Sequence, residues 1–208
     1  NFAKPDKWLW HLVNKPELGE KPDGKALLKF NYGHLTESMI ISLIKQTGKY
    51  TVEGEQLEVS YEGLPGHIDC MVNGVVIDIK SANSRGFLRF KNHQLEGDDP
   101  FGYLDQISLY CLALQEDERL KVKDKAGFLA FDKELGGMCL DVYKTKEYDY
   151  AGAIARKRDM LSKSSPPAHC CVPVPHGSSG NLRLGVTCQY NPYKFACHPG
   201  LRAFKYSN

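Results

Sequence analysis

The sequence predicts an α/β fold with a loop-rich C-terminal tail, and three observations support this prediction. Groups of helical and strand patterns alternate along the chain, beginning and ending with a helical pattern before the tail. An Asn73-Gly74 dipeptide between two apolar segments indicates a tight β-hairpin. A chain of 208 residues with an ordinary apolar content can form one hydrophobic core. We therefore expect one main domain with a small appendage.

The helices are predicted from the spacing of apolar residues and from the residues that end each run. Residues 7–14 indicate a short helix, and residues 32–46 indicate an amphipathic helix that ends before Gly48. A helix over 102–115 and a polar, basic helix over 147–163 follow. The strands are expected at 50–53, 56–61, 66–72, 75–80, 126–131 and 138–143.

Domain boundaries and compartment follow from composition. We expect a main domain over 1–163, then the linker Ser164-Ser165-Pro166-Pro167, and a cysteine-containing tail over 164–208 that packs on the core. The chain has no apolar run long enough for a membrane span, and its first residues show no signal-peptide pattern. A cytoplasmic protein without a membrane partner is therefore expected. The net charge of +2 does not indicate which partner the protein binds, because local clusters of charge determine the electrostatic field that a partner meets.

The hairpin around Asn73-Gly74 predicts a cluster of charged side chains. If Val72 faces Val75, then Asp69 lies opposite Asp78 and His67 lies opposite Lys80, all on one face. The opposite face is apolar and should be buried; it comprises Ile68, Cys70, Val72, Val75, Ile77 and Ile79. Two carboxylates held about 5 Å apart across strands repel each other. A bound divalent cation would remove that repulsion.

The tripeptide Asp78-Ile79-Lys80 supplies a carboxylate, a backbone carbonyl and an ammonium group at one strand end. Metal-assisted attack on a phosphodiester requires these groups. The alternative is an exposed strand that is merely charged, because so short a motif also occurs by chance.

Two helices carry further polar residues that could converge on the hairpin. On the first, His34 and Glu37 are three residues apart and share a face, and Glu37 is an acid in an apolar stretch. On the second, Gln106 and Tyr110 are four residues apart, so an amide and a phenol project side by side. The alternatives are a rim residue for Glu37 and a core tyrosine with a neighbouring amide.

Taken in this order, these residues resemble the PD-(D/E)XK nuclease superfamily. The similarity is to the RecB-type and lambda-exonuclease-like branch, most closely to phage-encoded single-domain members, and it runs from about residue 30 to residue 143. It implies a restriction-endonuclease-like core, in which a mixed central β-sheet is flanked by helices. It also implies a metal-dependent deoxyribonuclease, an exonuclease acting on DNA ends or single strands in phage-type recombination, repair or degradation.

The resemblance also implies a role for each residue of the site. Asp69, Asp78 and the carbonyl of Ile79 would bind one Mg²⁺ or Mn²⁺. Glu37 would reach a second ion, with His34 as the competing candidate.

The remaining three site residues would act on the water and on the substrate. Lys80 would position the attacking water, and a pKa lowered by desolvation would let it help remove a proton. Gln106 and Tyr110 would orient the substrate strand or the lysine.

The segment 81–91 mixes basic and aromatic residues, which suits phosphate contacts together with base stacking. Its candidate DNA-binding residues are Ser81, Arg85, Phe87, Arg89 and Lys91. The alternative is a loop whose two phenylalanines pack against the core.

The tail holds a second candidate metal site. It is similar to the C-terminal cysteine cluster of iron–sulfur nucleases of the same branch, such as the CRISPR-associated adaptation nucleases, but Asn191 stands at the middle position. The candidate ligands are Cys170, Cys171, Cys188, Cys197 and His198, with His169 as a further histidine. They would hold a tetrahedral Zn²⁺ or a [4Fe–4S] cluster.

One alternative to a metal remains for the tail. A disulfide is not expected in a cytoplasmic setting. Without a metal, the tail would be held by packing of Tyr190, Tyr193 and Phe195.

DNA, single-stranded or with duplex ends, is the expected partner, together with a recombination single-strand-binding or annealing protein. Two other functions remain open. One is a DNA-binding recombination or packaging accessory that keeps the fold without cutting, and the other is an RNA-directed nuclease.

Overall fold

The structure is a computed structural model, and it describes residues 2–117, 120–168 and 170–202. The chain divides into two compact units. The first is Gly24–Tyr150 with the residues before Lys4, and the second is Lys4–Asp23 with the chain from Ala151 onward. This division differs from the predicted boundary after residue 163, because the N-terminal segment groups with the tail.

Before the tail, the elements follow the predicted order with two exceptions: the predicted strand over 66–72 divides between two strands, and an additional helix covers Ser84–Lys91. The helices are α1 (Asp6–Asn14), α2 (Gly24–Gln46), α3 (Ser84–Lys91), α4 (Tyr103–Gln115), α5 (Tyr150–Ser162), α6 (Val186–Gln189) and α7 (Lys194–Cys197), with a 3-10 turn at Pro16–Leu18. The strands are β1 (Val52–Glu53), β2 (Glu58–Tyr61), β3 (Leu64–His67), β4 (Cys70–Val72), β5 (Val75–Ala82), β6 (Lys125–Asp132), β7 (Met138–Lys144), β8 (Val174–Pro175) and β9 (Leu182–Arg183).

The first unit is built on a mixed sheet flanked by helices, as predicted. Its five strands lie in the order β1-β4-β5-β6-β7. β5 and β6 run parallel, whereas the other neighbours are antiparallel. The parallel pair is joined by a crossover that contains α3 and α4. β2 and β3 form a separate hairpin outside this sheet.

The predicted turn at Asn73-Gly74 is confirmed. Both residues have positive φ, 51° and 80°, as a type I′ turn requires. Val72 pairs with Val75, and the ladder continues to Cys70 opposite Ile77. The local signal was sufficient here because the turn type fixes the register.

The predicted strand over 66–72 is wrong, because the chain leaves the ladder before Cys70. His67 belongs to β3 and pairs with Glu58, so the predicted pairing of His67 with Lys80 is also wrong. Ile68 donates its amide to the carbonyl of Leu57, which directs this part of the chain toward the β2–β3 hairpin. Asp69 thus lies at the point where the two sheets diverge.

Each face of the sheet is buried by different helices. The larger core, shared with α3 and α4, includes Ile68, Met71, Val76, Phe87, Phe90, Ile107 and Phe128. The smaller core, shared with α2, includes Ile40, Ile41, Cys70, Ile77 and Ile79. On the hairpin face that carries Asp78, the neighbouring Met71 and Val76 are fully buried. Ile68 lies in the larger core rather than on the predicted apolar face.

Helix α2 begins earlier than predicted and is apolar on two faces. Ile40 and Ile41 pack on the sheet, whereas Leu35, Met39 and Leu43 recur every four residues on a second, exposed face. Periodicity alone could not distinguish these faces, since both follow helical spacing. None of the helices within the described ranges combines the length and apolar character needed to cross a bilayer.

The second unit joins the two ends of the chain. The indole nitrogen of Trp10 donates to the carbonyl of Lys163 at 2.9 Å, and the amide of Asn14 donates to Leu161 at 3.0 Å. Trp8 packs with Tyr193 and Cys197 in a small core. These contacts explain why the N-terminal helix belongs with the tail.

Candidate functional site

Asp69, Asp78 and Lys80 meet at the point where β5 passes the end of β4. Oδ2 of Asp69 accepts the backbone N–H of Ile79 at 2.7 Å, which fixes this carboxylate beside β5. Asp78 is buried, with 4% exposure, and its Oδ2 lies 2.5 Å from Nζ of Lys80. The structure therefore brings together the two acids and the lysine that the sequence analysis selected.

The pKa values of Asp69 and Lys80 are both raised, but for different reasons. Burial, followed by the negative charge of Asp78, raises the pKa of Asp69 to about 7. Burial opposes the charged form of Lys80, but the neighbouring Asp78 outweighs it and raises the pKa of the ammonium above its ordinary value. The expectation that desolvation lowers the pKa of Lys80 is wrong, because it left out the ion pair.

Glu37 approaches this centre from α2. Its pKa is raised by burial and by the charge of Asp78, while His34 and Lys80 oppose that shift. Its carboxylate accepts a hydrogen bond from the amide of Gln56. His34 is exposed, and it lines a cavity of about 280 Å³ together with Glu37 and Gln56. Glu37 is therefore better placed toward the acids than His34 is.

Helix α4 brings an amide and two phenols to the same region. Nε2 of Gln106 donates to the hydroxyl of Tyr110 at 2.8 Å. The ammonium of Lys80 lies 5.0 Å from the ring centroid of Tyr103, a cation–π distance. Asp99 caps the start of the helix by accepting the N–H of Tyr103.

Sequence reasoning missed Tyr103 and Gln56. Tyr103 precedes Gln106 by three residues and shares its helix face, a signal that was available. Gln56 gave no such signal, because its position depends on a loop that folds back toward α2.

The donor atoms at this centre fit a hard divalent cation. Carboxylate and carbonyl oxygens are the ligands that Mg²⁺ and Mn²⁺ take. Oδ2 of Asp78 is buried and, among the described residues, receives no hydrogen bond of regular geometry besides its ion pair with Lys80. The three acids are not drawn tightly together, since Glu37 is held by Gln56. Asp69, Asp78 and the carbonyl of Ile79 are the oxygen donors that could hold such an ion.

The predicted DNA-binding loop is instead helix α3. Phe87 and Phe90 are three residues apart, and both are buried in the larger core. The proposed stacking role of Phe87 is therefore wrong, and the packing alternative holds. Arg89 forms an ion pair with Asp98 at 2.8 Å. Arg85 and Lys91 are exposed and Ser81 is half-buried. The basic side chains of Arg85 and Lys91 are therefore accessible, as a phosphate contact requires.

Four cysteines of the tail converge around Asn191. The Sγ atoms of Cys170 and Cys188 are 3.6 Å apart. The buried amide of Asn191 donates to Cys170 at 3.6 Å and to Cys197 at 3.4 Å. Within the described ranges, Cys170, Cys171 and Cys188 are the only three candidate ligands whose donor atoms all lie within 4.8 Å of one another. Asn191 therefore holds two of the predicted ligands by hydrogen bonds.

Cys171 and Cys188 form a disulfide, contrary to the expectation of reduced thiols. The pKa of the Cys197 thiol is lowered to about 7, first by a hydrogen bond from Cys170 and then by Asn191. His198 is half-buried and His169 lies outside the described residues. Tyr193 is buried, as the packing alternative expects, whereas Tyr190 and Phe195 are exposed.

Comparison with known proteins gives a likeness in fold. The chain is similar to the crystal structure of SSO0001, with a TM-score of 0.54 over 97% of this chain and 85% of that one. The two sequences are 16% identical, so the likeness concerns the fold alone. No family model matches the chain, and no curated protein matches it.

Proposed function

We propose that this chain is a metal-dependent deoxyribonuclease with a restriction-endonuclease-like core, as the resemblance to the PD-(D/E)XK superfamily implies. The observation that carries the proposal is the contact of buried Asp78 with Lys80 beside Asp69. Buried Asp78 and half-buried Asp69 would destabilise each other without a cation, because burying such charges is costly unless they are paired. Lys80, the lysine that pairs with these acids in the described part of the chain, can neutralise only one carboxylate, which favours a site made for a divalent ion.

The residues divide into ligands and positioning groups. Asp69, Asp78 and the carbonyl of Ile79 would hold Mg²⁺ or Mn²⁺, with Glu37 reaching a second ion. When bound, such an ion stabilises the charge that develops on a scissile phosphate. The N–H of Ile79 keeps the carboxylate of Asp69 in place before an ion arrives.

Lys80 is best suited to position the attacking water and the phosphate. Its raised pKa keeps it an ammonium at neutral pH, so it donates hydrogen bonds and does not act as the base. The ring of Tyr103 lies against this ammonium and restricts its position. Gln106 and Tyr110 hold each other and present one amide proton and one hydroxyl toward the substrate strand.

The preferred substrate is DNA with an end or a single strand, in phage-type recombination, repair or degradation. A recombination single-strand-binding or annealing protein is the partner that such an exonuclease would work with. The rival function from another class is a non-cutting DNA-binding accessory, and the intact acid–lysine set argues against it. An RNA-directed nuclease would use the same residues and is separated from a deoxyribonuclease by substrate.

A cleavage assay with four labelled substrates tests the proposal. Linear duplex, circular duplex and single-stranded DNA and a matched RNA strand would be incubated with Mg²⁺ or Mn²⁺, and in parallel with EDTA. We expect cleavage of linear and single-stranded DNA that EDTA abolishes. Binding of DNA without cleavage under any metal condition would instead support the accessory function, and cleavage of RNA alone would support the third function.

The tail is proposed to hold a structural metal when its disulfide is reduced. Reduction of Cys171 and Cys188 would leave four thiols, with Cys170 and Cys197, around the amide of Asn191. Zn²⁺ is favoured over a [4Fe–4S] cluster because three thiolates and His198 make a tetrahedral set. The low pKa of the Cys197 thiol supplies one thiolate near neutral pH.

A further inference from the structure

A cavity of about 340 Å³ lies between the β2–β3 hairpin and helix α4, within the first unit. The residues of its lining that matter here are Tyr61, Pro65, His67, Gln106, Leu109 and Tyr110. The volume falls at the low end of the range for pockets that bind small organic molecules, about 300–1,000 Å³. It can therefore take one flat heterocycle.

The walls of this cavity suit an uncharged aromatic ring. Tyr61 and Tyr110 supply two aromatic side chains, and Pro65 and Leu109 supply apolar surface. Gly66 brings backbone so close to Tyr110 that a Cβ there would lie 2.5 Å from the ring, which leaves little room for that ring to move. A fixed aromatic wall is a stacking surface for a base.

The same cavity is unsuited to a phosphate. Its lining, as far as the described residues define it, contains no lysine and no arginine. Burial and then the acids Glu116 and Glu62 raise the pKa of Tyr61, so negative charges lie near this lining residue. An anion would be repelled, whereas a neutral base could enter and meet the amide of Gln106.

Helix α4 connects this cavity to the acid–lysine centre. Tyr103 contacts Lys80, and Gln106 lines the cavity about 4.5 Å further along the helix axis. The pKa of Tyr110, raised mainly by burial, also responds to the charges of Asp78 and Lys80. A nucleotide whose phosphate lies at Lys80 would thus have its base within reach of the cavity.

We propose that this cavity binds one unpaired nucleobase of the strand whose phosphate lies at the centre formed by Asp69, Asp78 and Lys80. The inference rests on the proposed nuclease function and specifies its substrate as a single strand or a frayed end. A base inside a duplex would first have to be unpaired and unstacked, at a cost of a few kcal/mol. The cavity therefore selects against intact duplex.

An abasic scan tests this site. Single-stranded oligonucleotides, each with one abasic nucleotide at a different position, keep every phosphate and lose one base. We expect one position, fixed relative to the cut, at which kcat/KM falls by about tenfold, the loss expected for one stacked base. Tyr61→Ala should lower kcat/KM on intact DNA by a similar factor and have little further effect on that abasic substrate. Tyr61→Phe keeps the ring and should behave as the wild type.

If an active enzyme gives the same kcat/KM with every abasic substrate, the cavity proposal is wrong and the nuclease function is retained. If no DNA is cut at all, the nuclease proposal is wrong, and DNA binding measured in EDTA then tests the cavity separately. A fluorescent adenine analogue in the strand should then be quenched by the wild type and by Tyr61→Phe, and less by Tyr61→Ala. Equal fluorescence with all three proteins would contradict base binding.

Discussion

At the scale of single residues, the balance between burial and charge decides what each side chain of the site can do. Asp69 and Asp78 are acids in the same small volume, yet Lys80 contacts Asp78 and the Ile79 amide contacts Asp69. The residue types were readable from the sequence through the hairpin register. The raised pKa values were not, because they depend on the ion pair and on burial.

Replacing Lys80 tests whether the site needs a compact ammonium group or only a positive charge. Lys80→Ala should lower kcat by about a hundredfold or more while Mn²⁺ affinity, measured by calorimetry, is kept, since a positioning ammonium acts mainly in the transition state. Lys80→Arg should not restore turnover, because a guanidinium is wider and fixed in a fork. Full activity of Lys80→Arg would mean that only net charge is needed.

The raised pKa of Asp69 predicts how the metal-free protein responds to pH. The carboxyl titrates near 7 when folded but near its ordinary 3.8 when unfolded, so between these values the folded state holds more protons. The free energy of unfolding in EDTA should therefore fall as pH rises from about 4 to about 7.

Asp69→Asn is the control for that pH effect. The amide does not titrate, so the decline in stability over this interval should be smaller in the variant. Thermal melts of both proteins in EDTA at several pH values measure it. A decline of the same size in the variant would assign the effect to other groups.

At the scale of elements, α3 shows where sequence reasoning stopped. The pattern of segment 81–91 allowed either a DNA-binding loop or packed phenylalanines, and only the tertiary contacts of Phe87 and Phe90 decide between them. The turn at Asn73-Gly74 was predictable because its signal is local. The departure of His67 into a second hairpin was not, because it depends on pairing with Glu58.

Three alanine substitutions in α3 separate packing from DNA contact. Phe87→Ala should lower the free energy of unfolding by about 3–5 kcal/mol, because it opens a cavity in the larger core. Its neighbour Leu88 is exposed, and Leu88→Ala should change stability by about 0.5 kcal/mol at most.

Arg85→Ala should leave the melting curve unchanged. It should reduce the slope of the logarithm of the DNA-binding constant against the logarithm of salt concentration by about one. Denaturant unfolding and binding titrations at several salt concentrations distinguish the two effects. A destabilised Arg85→Ala protein, or an unaltered slope, would contradict a phosphate contact.

At the scale of the whole molecule, the tail and the N-terminal segment form one unit that the sequence did not predict. Residues 150 or more positions apart meet there, as Trp10 and Lys163 do. No local pattern encodes such a contact. The convergence of the tail cysteines was expected from the resemblance to iron–sulfur nucleases, but the bond between Cys171 and Cys188 was not.

The state of the tail cysteines can be read from stability and metal content. Cys188→Ser should lower the melting temperature, since it removes either the disulfide, which typically contributes about 2–4 kcal/mol, or a metal ligand. Cys139→Ser, in the first unit, is the control and should have a smaller effect. Elemental analysis after reduction should find zinc or iron bound to the chain. A metal-free protein whose melting temperature is unaffected by Cys188→Ser would leave packing around Tyr193 as the better account.

The central claim is that Asp78 belongs to a metal-dependent cleavage site, and the most direct test is the cleavage rate of Asp78→Ala on end-labelled linear DNA with Mg²⁺. We expect the rate to fall by at least about a hundredfold, because the substitution removes a metal ligand. The far-ultraviolet circular dichroism should be unchanged, because the substitution also removes the repulsion with Asp69. Asp159→Ala, an exposed aspartate in an ion pair with Lys163, should cut at the wild-type rate. A folded Asp78→Ala protein that cleaves as fast as the wild type would contradict the account.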